Sequence, residues 1–259
     1  ASGDSILTRG ETDSLFVFVT QTGSALGNQN VTLTLKGRDR NSLQLLNSNA
    51  SNATVNVQPP AALSILSVKA SQPAVSVGQT NAWNVTVVAR NNGGSLTALK
   101  TDSTSLRFRL GAAFQNDYTV ALEQPRWLGS GSANLAANTT DSLRFVINTT
   151  GGASGTVALW AKIGATEINS DVVRVATNTA SSVQVQQLPN VSYIANSMLP
   201  DIVNNNTSYA FTVRVRNGAN RATVVLDPAT TKFRFNNGAT LFEANLDANN
   251  PVKSIAPGD

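Results

Sequence analysis

Chemistry in a protein starts from side chains that can hold, move or share a proton, and this chain has few of them. It contains no His and no Cys. Their absence removes disulfides, thiolate metal ligands, thiol nucleophiles and every Ser/His or Cys/His pair. It also removes the side chain best placed for proton transfer near neutral pH. Only 15 Asp and Glu are present, and they are scattered. A carboxylate glycosidase needs two acids about 5–10 Å apart across a cleft. The glutamates available for that role, Glu11, Glu123, Glu167 and Glu243, stand in no recognisable setting. No Asp-X-Asp-X-Asp-Gly loop suggests calcium, and no glycine-rich phosphate loop is present. An isopeptide staple from Lys69 to a distant Asn has no local support. The expectation is a non-enzyme, with no catalytic, cofactor or metal residue.

The chemistry that remains is modification and contact. Asn-X-Ser/Thr triplets start at Asn30, Asn49, Asn52, Asn84, Asn138, Asn148, Asn190, Asn205 and Asn206. Chance explains some of them in an Asn/Thr-rich chain; N-glycosylation of an exported protein is the alternative. Three aromatics break the expected inward pattern. Trp160 lies opposite in phase to Val157 and Leu159, and Phe16 and Phe18 alternate with Leu15, Val17 and Val19. Outward aromatics of this kind mark subunit or ligand contacts, unless another domain or loop covers that face. Trp83, in contrast, reads as core.

These residues must be carried by strands. Trp83, Val85, Val87 and Ala89 alternate with polar residues, as do Tyr209, Phe211, Val213 and Val215. Leu106 to Leu110, Lys232 to Phe235 and Val31 to Lys36 repeat the period of two. Such alternation marks half-buried antiparallel strands. Turn clusters such as Asn91-Asn92-Gly93-Gly94 and Thr150-Gly151-Gly152 separate them. No helical period of useful length is found. The fold class expected is all-β, an antiparallel immunoglobulin-like sandwich.

The chain also repeats itself. Thr12-Asp13-Ser14-Leu15 recurs as Thr140-Asp141-Ser142-Leu143, displaced by 128 positions. Asp13 and Asp141 therefore read as a strand-start device rather than a site. Arg90-Asn91 recurs as Arg216-Asn217, displaced by 126. Units of about 127 residues follow, large for the sandwich class. Residues 1–58 match the second half of a unit, 62–186 a whole one, and 187–259 the first half. Three arrangements are compatible with this phase: a window of a longer repetitive chain, halves completed by neighbouring subunits, or halves that meet within one chain.

Composition sets the surroundings. Charged residues are 13% of the chain, against roughly 25% for ordinary soluble proteins, so Asn, Thr, Ser and Gln must cover the surface. A net charge of +4 without a Lys/Arg cluster argues against nucleic acid. No run of 18 apolar residues could span a membrane as a helix. A secreted chain of this kind is expected to have lost its signal peptide.

Val85-Thr86-Val87-Val88-Ala89-Arg90-Asn91-Asn92-Gly93-Gly94, preceded by Val77-Gly78-Gln79, resembles the bacterial and archaeal immunoglobulin-like repeats of surface proteins, including the cell-adhesion-related type. Residues 62–186 carry the resemblance best. It implies an extracellular, cell-surface location and a stalk, adhesin or filament role, and it supplies no catalytic residues. The half-unit phase adds a looser likeness to strand-exchanging prokaryotic filament subunits. The partners expected are other copies of the chain or other surface proteins. A carbohydrate-binding or adhesin module, using the outward aromatics on a glycan, is the alternative.

Overall fold

The structure is a computed structural model. It describes residues 6–19, 21–195, 200, 202, 204, 207–236, 241–246 and 254–258, side chains at 49–52, 179, 180, 235, 236, 241 and 242 excepted. The chain divides into two compact units, Ala1–Pro60 and Ala61–Asp259. Among the described residues, strands dominate and the one helical element is a 3-10 turn at Thr101–Ser103. Among the described residues, no helix is long and apolar enough to cross a membrane.

The first unit contains a long hairpin, β1 (Gly27–Arg38) and β2 (Leu45–Val57). Its tip closes through the Asp39 N–H, which donates to the Gln44 carbonyl at 2.9 Å. Leu43 takes a left-handed φ of 57° there. A β-bulge falls between Val31 and Thr32. Residues 11–19 carry the alternating Leu15-to-Val19 run but form no strand, and Leu15, Val17 and Val19 are exposed along with Phe16 and Phe18. The expected division of that run into an inner and an outer face is therefore not seen. The reason is physical: a strand acquires an inside only when a ladder partner and a facing sheet cover one side of it.

The second unit opens with an antiparallel sandwich. One sheet has the order β3 (Leu63–Ala70), β5 (Trp83–Asn91), β11 (Thr140–Thr149), β9 (Thr119–Leu122). The other is built around β12 (Gly155–Glu167) and β13 (Val173–Gln186), with β4 (Ala74–Ser76) parallel to β13. On the far side of β12 lie β6 (Thr97–Leu99) and β7 (Ser105–Leu110), which carry β10 (Asn134–Leu135) and β8 (Ala113–Gln115) on their outer edges. Alternation does the packing. Trp83, Val85, Val87 and Ala89 of β5 and Leu143, Phe145 and Ile147 of β11 are buried against Val157, Leu159, Ala161 and Ile163 of β12. Trp127 and Phe108 fill the space between the sheets, and Tyr118 stacks on Phe108 at 3.9 Å. Burial, then the neighbouring Asp117 charge, pushes the Tyr118 hydroxyl up to about 12.

The remainder of this unit is a set of short two-stranded ladders. β14 (Val191–Tyr193) pairs with β15 (Val215–Asn217), β16 (Val224–Val225) with β19 (Ser254–Ile255), and β17 (Lys232–Asn236) with β18 (Leu241–Asn245). The strand expected over Tyr209 to Arg216 is thus a strand at its end, with an isolated bridge at Thr212. Among the described residues, β15 has one ladder partner, β14, and the Asn217 carbonyl at its end accepts the Gly258 N–H at 3.1 Å.

Candidate functional site

The complete sandwich serves as an internal template for the rest of the chain. In it, β12 and β13 pair Gly155 with Val185, Leu159 with Ser181 and Ala161 with Asn178, with a bulge between Leu159 and Ala161. The β1–β2 hairpin pairs Gly27 with Val57, Val31 with Ala53 and Leu33 with Ala50. Each of these pairs is its counterpart displaced by 128 positions (27 to 155, 57 to 185). The tips agree as well. Glu167 N–H donates to Val172 as Asp39 N–H does to Gln44, and Asp171 has φ 60° where Leu43 has 57°.

The two hairpins differ in cover. Leu159, Ala161 and Ile163 are 0% exposed, whereas their counterparts Val31, Leu33 and Leu35 are 46%, 39% and 41% exposed. An apolar stripe shaped for a sandwich core therefore lies open on the first unit. The Leu15-to-Val19 run, the counterpart of β11, is open in the same way.

The C-terminal ladders match the other half of the template. Val191 faces Asn217 as Leu63 faces Asn91. Val224 faces Ile255 as Thr97 faces Leu135. Phe235 faces Phe242 as Phe108 faces Gln115. Here too the inner row is under-covered. Tyr209 is 45% exposed and Phe211, Val213 and Val215 are half-buried, where Trp83, Val85, Val87 and Ala89 are buried. Tyr209 leans edge-on against Phe211 at 4.9 Å, and Phe211 stacks with Phe233 at 6.1 Å.

One residue in each half holds the layers together, and the alternation pattern does not reveal it. Asn91 is fully buried. Its Oδ1 accepts the N–H groups of Ala62 and Gly93 at 3.2 and 3.1 Å, and its Nδ2 donates to the carbonyls of Ser95 and Leu135 at 2.7 and 3.4 Å. Asn217, also fully buried, accepts from Asn190 N–H and donates to Ala222 and Ile255. The recurring Arg-Asn at a strand end was the available signal; its meaning depends on burial, which sequence alone does not supply.

The glutamates are tied into hydrogen bonds or ion pairs. Glu11 accepts from Thr8, Glu123 from Arg144, Glu167 from Arg174 at 2.6 Å, and Glu243 from Lys232 and Arg234. Burial alone would raise Glu167. Hydrogen bonds from Arg174, Ser95, Ala61 N–H and Ser170 outweigh it and hold the carboxyl below its ordinary value. A general acid needs the opposite shift. A cleft of about 590 Å³ between Ser154, Gln184 and Gln187 on one side and Asn220 and Pro257 on the other has no ionisable side chain in its lining. Among the described residues, no three acidic groups converge as a metal site would require.

Of the expected contact residues, Phe16 and Phe18 belong to the first unit and Trp160 to the second. Trp160 sits at the β12 bulge, half-buried and edge-on to Phe114 at 5.8 Å, with the Arg107 guanidinium 3.8 Å from the Phe114 ring. Of the Asn acceptors, Asn30, Asn138, Asn148 and Asn190 are exposed and Asn84 is half-buried. Asn206 lies outside the described residues, as does the side chain of Asn52.

No family model and no curated protein matches the chain. Solved structures give low similarity. The secreted serine protease VesC from Vibrio cholerae is 14% identical, over 51% of this chain and 25% of that one, with a TM-score of 0.26. BcpA, the major pilin subunit of Bacillus cereus, is 12% identical over 84% and 75%, with a TM-score of 0.26. A PapD-like domain of human CEP192 is 6% identical over 45% and 87%, with a TM-score of 0.24. Likeness at these TM-scores carries no weight for activity or partner.

Proposed function

We propose that the chain is a non-catalytic, extracellular structural subunit that joins copies of itself head to tail at the cell surface. The N-terminal unit is the second half of a sandwich. The region 187–259 is the first half, and the two are completed by neighbouring copies. The observation that supports this is the β1–β2 hairpin, which keeps the register, bulge and tip of β12–β13 while exposing the stripe that β12 buries. Completion is worth making. Fully burying a Val or Leu side chain contributes about 1.5–3 kcal/mol, so Leu15, Val17, Val19, Val31, Leu33 and Leu35 together would contribute roughly 10 kcal/mol before ordering costs. A contact between two different surfaces does not close on itself, and repetition yields a filament.

Electron microscopy of the purified 259-residue chain tests this reading. Filaments whose axial repeat accommodates two sandwiches per copy are expected. Monodisperse single particles at high concentration would refute polymerisation. Exposed Asn30, Asn138, Asn148 and Asn190 would carry any glycan on such a filament.

A further inference from the structure

Resting on that reading, we infer that the join is made by residues 12–19 of one copy, which enter as a strand beside Tyr209–Asn217 of a second copy in a single register: Leu15 opposite Val213, Val17 opposite Phe211 and Val19 opposite Tyr209. The register comes from the complete sandwich, where β11 pairs Leu143 with Val87, Phe145 with Val85 and Ile147 with Trp83. Displacing β11 by 128 positions and β5 by 126 gives the three pairs above.

Side-chain size supports the register independently of position. The central pair of the complete sandwich is Phe145 with Val85; that of the join is Val17 with Phe211. The large and small partners have exchanged strands, so the volume between the sheets is conserved while neither strand is. Leu143 with Val87 reappears unchanged as Leu15 with Val213. Ile147 with Trp83 becomes Val19 with Tyr209, each slightly smaller. A slip by two residues would set Val17 against Val213 or Leu15 against Phe211 and undo the match. A slip by one would turn the row to the other face. On the outer face the same register lays Phe18 over Ala210 and Phe16 over Thr212, large against small, which gives the two exposed aromatics a role.

The backbone of the acceptor is oriented for it. Ile194 N–H donates to the Arg214 carbonyl, so even-numbered residues there turn their hydrogen-bonding groups toward β14. Val213 therefore turns its own toward the other edge. In the template, Asn91 N–H donates to the Thr139 carbonyl opposite it. Counting back along β5 makes Val88 with Ser142 a non-hydrogen-bonded pair, whose side chains lie closest. Ser14 with Arg214 is its equivalent.

A Cys-free chain makes the test direct. Ser14→Cys and Arg214→Cys are introduced together, with Ser14→Cys and Thr212→Cys as the slipped control, and the oxidised full-length chain is run without reductant. A ladder of covalent multimers from the first pair, at about tenfold or more over the control, is expected. Separately, Val17→Phe and Phe211→Val should each reduce the assembled fraction about tenfold, by overpacking and by a cavity. The double variant should restore it. Filaments that form without the ladder, or that the double variant fails to rescue, would overturn the register and leave polymerisation standing. A disulfide confined to the monomer band would show closure within one chain and overturn both. Absence of filaments and of cross-links together would do the same. Fluorescence of buried Trp83 and Trp127 reports that the central sandwich is folded in every variant.

Discussion

Glu167 is a charged residue buried in the fold. It lies at the tip of β12 and β13 with a side chain 4% exposed, and Arg174 reaches it through two nitrogens at 3.0 and 2.6 Å. Its carboxyl is held below the ordinary value in the folded state. A depressed folded pKa stabilises the fold above the unfolded pKa and loses that contribution as pH falls through the folded one. Asp141, which burial alone would raise, is held down by hydrogen bonds from Ser142, Gly129 and Ser130 and contributes with the same sign. Thermal unfolding of the sandwich should therefore move to lower temperature below about pH 4, the ordinary carboxylate range. Glu167→Gln should cost roughly 2 kcal/mol at pH 7 and flatten that acid limb, leaving the Asp141 share. Equal pH dependence in variant and wild type would show that Glu167 does not carry it. None of this was legible in the sequence. Glu167 was visible only as one of four isolated glutamates, because Ala61 and Ser95 lie far from it in sequence and Arg174 meets it only across the hairpin tip.

At the scale of elements, the period-two pattern identified β5, β7 and β12 and their buried faces, since alternation and burial are the same fact for a strand between two sheets. It failed at Leu15–Val19, where the pattern is as clear but the side chains are exposed, and at Tyr209–Arg214, where the inner row is covered less fully than Trp83 to Ala89. Pattern reports which face would be buried, not whether anything buries it. It also missed β4, three residues long and parallel to β13, and the repeated Asn at a strand end. The hairpin offers a test that separates its own stability from joining. Val31→Ser, Leu33→Ser and Leu35→Ser together change a stripe that the central sandwich does not use. The sandwich should melt within about 1 °C of wild type, since distant sites act independently, while sedimentation shows assembly lost. Assembly unchanged in this variant would exclude the stripe from the contact.

For the whole molecule, the balance of forces is apolar and neutral. With 13% charged residues and a net charge of +4, electrostatic steering between copies is weak. Assembly should accordingly change less than about threefold between 0.05 and 0.5 M NaCl, where screening lengths shorten severalfold. Ammonium sulfate should promote it and urea reverse it, as expected for apolar burial. Turbidity or sedimentation across both series decides this, and a steep loss in NaCl would point to charge pairs instead. The likeness of Thr12-Asp13-Ser14-Leu15 to Thr140-Asp141-Ser142-Leu143 was readable in the sequence. The bulge and tip that the two hairpins share, and the burial of Asn91 and Asn217, required coordinates.

Asn217 bears on the timing of assembly. Its bonds to Asn190, Ala222 and Ile255 are already made within the C-terminal part of a single chain. Part of the receiving end is thus ordered before any second copy arrives, and the entropy of ordering it is spent when the chain folds rather than when copies meet. The incoming segment, residues 12–19, has no such anchor in a ladder. One end is a prepared mould and the other is a pliable insert, so each addition would order one short segment and growth of such a fibre would have a direction.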